Sequence, residues 1–312
     1  MMIPASPIVL DCDPGHDDAL AIMLAAGDSR VQLLGITTVA GNQTVDKTTA
    51  NACTVATVAG LRDVPVVRGA ERPLLRDLTT AGNIHGDSGL DGPVPVVPKV
   101  RPQAGVACDF IVDQVMAAPG EVTIVATAPL TNVALALAKE PAVATYAREL
   151  VIMGGAYGRG NVTPAAEFNI YVDPEAAAIV FHAPWRITMM GLDVTHQALC
   201  SEEEQAEIAA IGTATGDFCA QLLEYFRATY RREMGMADPP VHDVCAVAYV
   251  ADPSLFVTRP AKVSIETCGT YSRGMTVTEF LGREKAGSHQ VGTSVRRREL
   301  FDALIRAIRT LG

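Results

Sequence analysis

The residues able to do chemistry are concentrated near the N-terminus, in Asp11-Cys12-Asp13-Pro14-Gly15-His16-Asp17-Asp18. Four carboxylates fall within eight residues. Two unit charges about 4 Å apart repel by roughly 4 kcal/mol at an effective dielectric of about 20. Either some pKa values rise or a cation settles among the acids. An oxygen-only cluster favours a hard cation, calcium or magnesium, over zinc or copper. A solvated acidic turn capping a helix accounts for Asp17 and Asp18. It does not account for Asp11 and Asp13 at the end of an apolar strand.

The flanking residues say where the acids lie. Ile8-Val9-Leu10 reads as a buried parallel strand, and residues 19–26, apolar and alanine-rich, read as a helix. Pro14-Gly15 breaks the chain between them. Acids at a strand-to-helix turn stand where open α/β sheets bind ligands. Two other motifs are excluded. An EF-hand loop counted from Asp11 needs Gly and Glu where His16 and Ile22 stand, and no G-x-x-x-x-G-K-[ST] phosphate loop is present in this stretch.

D-x-D-P-G-x-D-D after a first strand resembles the signature of the nucleoside hydrolase family, the inosine-uridine type N-ribohydrolases. Later stretches resemble it too. Residues 68–103 are rich in Pro and Gly and contain Gly82-Asn83-Ile84-His85-Gly86, and a long loop of this kind inside a domain is usually functional. It is similar to the family's N-x-H-G loop over the nucleobase, which makes His85 a candidate base contact. The run Thr127-Ala128-Pro129-Leu130-Thr131-Asn132 resembles another family stretch, with Ala128 where Gly is common. Residues 160–169 match the ribose-binding loop. Amides and a carboxylate there suit a diol, whose hydroxyls both donate and accept. His242-Asp243 matches the family's H-D pair at the start of an apolar helix.

The resemblance implies a set of roles. Asp13, Asp18, Asp243 and the Thr127 carbonyl would hold Ca²⁺, with Asp11 behind them as support. Asp13 would also act as general base toward water, and His242 would protonate the leaving base. Asp17 and Asn169 would grip the 2′- and 3′-hydroxyls, and Asn161 and Glu167 the 5′-hydroxyl. Asn42, Met153, Phe168, His85 and Tyr230 complete the substrate-binding set. Phe226 and Tyr230 share one helical face, which packs in the core or walls the base pocket. The reaction implied is hydrolysis of the N-glycosidic bond of purine or pyrimidine ribonucleosides, giving ribose and free base. The family also forms dimers and tetramers, so a homo-oligomer is expected.

The chain has 312 residues, 49% hydrophobic and 19% charged, with net charge −10. That balance argues against a sequence-independent nucleic-acid binder, which needs a basic surface. No apolar run approaches the ~18 residues of a membrane span. Seven scattered cysteines without a C-x-x-C read as thiols of a reducing cytoplasm. Met1-Met2-Ile3-Pro4 carries no basic region or cleavage site, so no signal peptide is expected.

The elements alternate. Strands are expected at 31–39, 65–67, 121–127, 149–153 and 186–190. Helices are expected at 44–59, at 104–117, after Asp173-Pro174-Glu175, and from Ser201 through Tyr230. This is a mostly parallel, open, twisted sheet with helices on both faces, Rossmann-like. Strands near 262–266, 276–280 and 290–292 extend it, partly antiparallel, and a helix over 296–310 closes the chain with a solvated arginine face. One domain over 1–312 is expected. Two other classes fit parts of the pattern. A haloacid dehalogenase-like Mg²⁺ phosphatase also carries D-x-D after a first strand, but here His16-Asp17 follows and no matching lysine motif is evident. A non-catalytic nucleoside binder would lack base or metal ligands, and all are present.

Overall fold

The computed structural model describes residues 5–280 and 289–312. The signal-peptide reading of Met1 to Pro4 lies outside the described residues. Nine strands form one sheet in the order β3-β2-β1-β4-β5-β6-β9-β7-β8. In chain order they are β1 (Ser6–Cys12), β2 (Val31–Thr38), β3 (Val66–Arg68), β4 (Thr123–Ala126), β5 (Glu149–Met153), β6 (Ile187–Met190), β7 (Phe256–Ile265), β8 (Thr276–Phe280) and β9 (His289–Val295). β1 to β6 pair in parallel, as does β9 with β6, while β7 runs antiparallel to β8 and β9. The expected antiparallel extension is therefore present. The last strand does not lie at the edge, however: it inserts between β6 and β7.

Parallel strands covered on both faces read as continuous apolar runs. In β1, residues Ile8 to Cys12 are fully buried. Alternation splits them between two cores: Ile8, Leu10 and Cys12 join one, and Val9 the other. The first core is completed by α1 (His16–Gly27), buried continuously from His16 to Ala25. α1 packs against the helices His242–Ala251 and Arg297–Thr310. Burial on all sides fixes its first turn, and with it Asp17 and Asp18.

Several boundaries move. The helix expected at 104–117 starts at Ala107, because Gly105 sits at φ +138° and cannot begin a helix. The helices expected from Ser201 through Tyr230 are Glu202–Ala209 and Ala214–Glu233, the second running three residues past Tyr230, with Gly212 at φ +71° between them. Ser201 caps the first of these, with Glu204 reaching back to its N–H. The glycine-rich loop holds one short helical turn, Gly82–His85. The strand expected near 262–266 begins earlier, at Phe256, and β9 outruns the expected 290–292. The closing helix is Arg297–Thr310, and its arginines are not all solvated ends: Arg297 donates to the buried carboxylate of Glu204 at 2.5 Å.

Asp173 fastens the loop to the sheet's helices. It is fully buried. Its Oδ2 accepts from the Leu74 N–H at 2.9 Å and the Thr131 hydroxyl at 2.7 Å, and its Oδ1 caps the helix Pro174–His182 through the Ala176 N–H at 3.0 Å. Asp173→Ala removes a cap and strands the buried Thr131 hydroxyl and the half-buried Leu74 N–H. It is expected to lower the unfolding free energy by about 2–4 kcal/mol in urea titrations. A change below about 0.5 kcal/mol, the range of an inert surface site, would contradict this.

Candidate active site

The strand order reverses direction at β1, which lies between β2 and β4. The carboxyl ends of β1 and β4 therefore open a crevice, the position where such sheets bind ligands. Asp13 follows β1 and Thr127 follows β4. Asp17 and Asp18 lie in the first turn of α1, and Asp243 in the first turn of the helix His242–Ala251. Two helix N-termini thus point their positive ends at the acids.

Asp17, Asp18 and Asp243 each offer a carboxylate oxygen, all within 4.8 Å of one another. Asp13 lies beside this trio rather than in it. Its Oδ2 accepts the Asn42 N–H at 2.6 Å. Gly41 makes that possible, since a Cβ there would come within 2.0 Å of the same oxygen. Asn42 also sends its amide to Asp18 at 3.2 Å. Asp18 further accepts from the Gly15 N–H at 3.0 Å and the Thr127 hydroxyl at 2.8 Å. Behind the cluster, Asp11 Oδ1 accepts from Thr37 at 2.6 Å and Asn132 at 2.7 Å, and its Oδ2 is buried without a partner. Asp11 therefore ties the ends of β1 and β2 to the helix after β4.

Burial pushes all these carboxyls above their ordinary range. Asp11 and Asp17 reach about 7 and Asp18 about 6. Asp13 and Asp243 also rise, with the charges of Asp18 and Asp17 adding to burial. All the facing donor atoms are oxygens, the set a hard cation takes. The residues therefore fit a bound Ca²⁺ or Mg²⁺, which would offset the burial and mutual repulsion that raise their carboxyls.

A cavity of about 310 Å³ opens above the cluster. Asp17, Asp243 and Thr127 form part of its lining, as do Asn42 and Met153 at strand ends. Asn161, Glu167, Phe168 and Asn169 reach it from the 160–169 loop. Glu167 N-caps the helix Phe168–Val172, accepting from Asn169 and Ile170, and also accepts from the Gly155 N–H at 2.9 Å. Burial pushes its carboxyl to about 7. Asn161 Oδ1 accepts the Phe168 N–H at 2.9 Å. Asn169 Nδ2 donates to the carbonyls of Thr127 at 3.0 Å and Met153 at 3.1 Å.

His85, Phe226, Tyr230 and His242 complete this part of the lining. The Tyr230 hydroxyl lies 3.0 Å from His242 Nε2, and the Thr195 hydroxyl 2.7 Å from its Nδ1. Burial holds both His85 and His242 well below the usual histidine range. Of the residues expected at the site, Asp17, Asn42, His85, Thr127, Met153, Asn161, Glu167, Phe168, Asn169, Tyr230, His242 and Asp243 line the cavity; Asp13 and Asp18 do not line it but bond to Asn42 and Thr127, which do, and Asp11 lies behind them. The sequence reading did not single out Thr195, Met234 or His16. Thr195 follows a four-residue strand and carries no local signal. His16 stood in the acidic motif but had no partner in view.

A model of the family described as "Inosine-uridine preferring nucleoside hydrolase" matches residues 8–302. The chain belongs to the nucleoside hydrolase family. It is similar to the pyrimidine-specific ribonucleoside hydrolase RihA of Shewanella woodyi, with 48% identity over 88% of this chain and 89% of the relative. The inosine-uridine preferring nucleoside hydrolase of Crithidia fasciculata is 43% identical over 98% of both chains. Among solved structures, a purine-preferring ribonucleoside hydrolase from Gardnerella vaginalis superposes with a TM-score of 0.92, at 31% identity and 98% coverage of each chain. This nucleoside hydrolase is accordingly an enzyme acting on N-glycosyl compounds.

The raised carboxyls give a pH dependence of known sign. Their folded pKa values lie above the unfolded ones, so the metal-free folded chain holds more protons and loses stability as pH rises. The buried histidines pull the other way, an effect that fades about one unit above their unfolded pKa near 6.5. Between about pH 7 and 8 the acids dominate, and the buried thiols Cys12, Cys219 and Cys245 pull in the same direction as the acids. In chelator, the melting temperature of this hydrolase is expected to fall across that window, and calcium is expected to flatten the slope. A flat or rising profile in chelator would contradict the carboxyl assignment.

Proposed function

We propose that this hydrolase cleaves the N-glycosidic bond of both pyrimidine and purine ribonucleosides, uridine and inosine among them, and that its cation is Ca²⁺. One observation carries the reading: a trio of buried carboxylates opens directly onto a cavity walled by amides, a carboxylate and a Tyr–His pair. The relatives support breadth, since one is named pyrimidine-specific and another inosine-uridine preferring. The proposal includes a single domain, a homodimer or homotetramer, and a cytoplasmic setting, the last supported by seven unpaired cysteines.

Asp13, Asp18, Asp243 and the Thr127 carbonyl would hold the cation. When bound, it lowers the pKa of water and neutralises the clustered charge. Asp17 and Asn169 bind the 2′- and 3′-hydroxyls of ribose, and Asn161 and Glu167 bind the 5′-hydroxyl. Asp13, held by the Asn42 N–H, takes the proton of the attacking water as general base. The C1′–N bond breaks toward an oxocarbenium-like transition state, and water delivers the oxygen. Glycosidases of the usual kind divide this work between two carboxylic groups. Here the leaving base is protonated from the His242 side. His242 acts there as an imidazolium formed on substrate binding: it gives its Nε2 proton to the leaving nitrogen, directly or through the Tyr230 hydroxyl, and returns to the neutral form that burial favours, with Thr195 setting its ring orientation.

The test is a panel of uridine, cytidine, inosine and adenosine, with release of base and reducing sugar measured with and without chelator. Turnover of uridine and inosine, abolished by chelation and restored by calcium, is expected. The 2′-deoxynucleosides should be poor substrates by about 10³-fold or more, because Asp17 and Asn169 would face no hydroxyl. Comparable kcat/KM for uridine and 2′-deoxyuridine would remove both residues from ribose recognition.

His242→Ala should slow inosine hydrolysis by about 10²–10⁴-fold, the usual yield of general acid catalysis. It should hardly change 4-nitrophenyl riboside, whose leaving group needs no proton. Equal loss on both substrates would mean that His242 only supports Asp243.

A further inference from the structure

His16 is the one ionisable side chain of the acidic turn, Asp11 to Asp18, that is neither a carboxylate nor a thiol, and the mechanism above does not use it. It is 1% exposed. Its Nδ1 lies 3.1 Å from His85 Nδ1, and its backbone N–H points at the same atom at 3.3 Å. Its Nε2 lies 2.9 Å from the Asp91 carbonyl. The ring stacks on Tyr225 and Phe226, with centroids 5.2 and 5.1 Å away and planes 4° and 3° apart. One side chain therefore touches both the loop over the pocket and the long helix that carries Tyr230.

The chemistry of these contacts is specific. A carbonyl only accepts, so His16 Nε2 carries a proton toward Asp91. With its proton on Nε2, neutral His16 can only accept at Nδ1, so the two contacts to His85 Nδ1 are alternatives: as Nδ1–H, His85 donates to the His16 ring, and in the other tautomer it accepts from the His16 backbone N–H. The neighbouring glycine fits the same purpose. A Cβ on Gly15 would lie 2.5 Å from His85 Nδ1, so the turn is bare where the His85 ring lies against it. A second set of bonds runs parallel to the first. Gln43 donates to the Gly86 carbonyl at 2.9 Å, and Asn51 donates to Ser88 at 2.9 Å and Pro14 at 3.0 Å. Loop and turn are thus fastened to each other at both ends of the segment 85–91.

We propose that His16 is a positioning residue: it fastens His85 and the 85–91 segment to the turn that bears the acids, which fixes the distance between the base contact and the carboxylates. This rests on the reading of His85 as a base contact. His16 acts through His85 and touches no reacting atom.

The experiment uses four variants of the full chain: His16→Leu, His16→Gln, His85→Ala and the double variant His16→Leu/His85→Ala. Kinetics on uridine, inosine and 4-nitrophenyl riboside are combined with amide hydrogen exchange. His16→Leu is expected to lower kcat/KM for the nucleosides by about 10–100-fold, the scale of a misplaced substrate contact. The nitrophenyl riboside, which has no base to hold, should change by less than about 3-fold. The His85 and Gly86 amides, bonded to Ala81 and Gly82 carbonyls, should exchange at least about 10-fold faster. Gln, which carries a donor and an acceptor on one flat group, should restore most of both effects. In the His85→Ala background the Leu substitution should cost no more than about 2-fold. Should His16→Leu not fold, His16→Asn, too short to span both partners, replaces it.

Equal loss on all three substrates, additive with His85→Ala, would overturn the proposal and leave His16 as packing for the acidic turn. If His85→Ala has wild-type nucleoside kinetics, the base-contact reading fails instead. Loop exchange still decides on His16 in that case: unchanged protection in His16→Leu overturns the fastening.

Discussion

Buried like charges constrain this structure most. Asp11, Asp13, Asp17, Asp18 and Asp243 sit within the protein with almost no access to water, and isolated ionised carboxylates there would be very costly. Neighbouring elements answer with donors. Thr37 and Asn132 hold Asp11, the Asn42 backbone holds Asp13, and Thr127 and the Gly15 N–H hold Asp18. These donors come from the ends of β2 and β4, from the turn after β1 and from the helix after β4. The crevice at the strand-order reversal is what brings those ends together, so sheet topology and acid chemistry depend on each other.

The same burial shapes the pocket walls. Away from bulk water a dipole acts with more force. Burial disfavours the charged forms of His85 and His242. The Thr195–His242–Tyr230 chain therefore presents polar atoms whose protons are placed by hydrogen bonds rather than by bulk pH. Glu167 shows the same economy: its carboxylate caps a helix, anchors Gly155 and still faces the cavity.

Much of this was legible in the sequence because the signals were local. An apolar triplet, four acids and an alanine-rich run define a strand, a turn and a buried helix without reference to anything distant. Strand β5, Glu149–Met153, matches its expected span, since Gly154-Gly155 stop it at its end. Helix starts were harder. Gly105 delays a helix start through a positive φ angle that the apolar periodicity does not reveal. The place of β9 inside the sheet was illegible, because pairing with β6 across about a hundred residues leaves no mark in either strand alone. His16 was missed for a similar reason: its partners His85 and Asp91 are 69 and 75 residues away. Asn42, Met153 and Phe168 became candidates only through the family resemblance. The structure gives the physical reason for their places, at the ends of strands and on the loop above the acids.

The central claim is that the acid cluster is built for a cation and holds protons in its absence. Calorimetric titration of calcium into the metal-free protein at pH 6.5, repeated in buffers of different ionisation enthalpy, reads both parts of it at once. The account predicts about one cation bound per chain with release of about one proton or more, because ligands must deprotonate to bind. Calcium binding without proton release, or full catalytic activity in protein that binds no calcium, would contradict it.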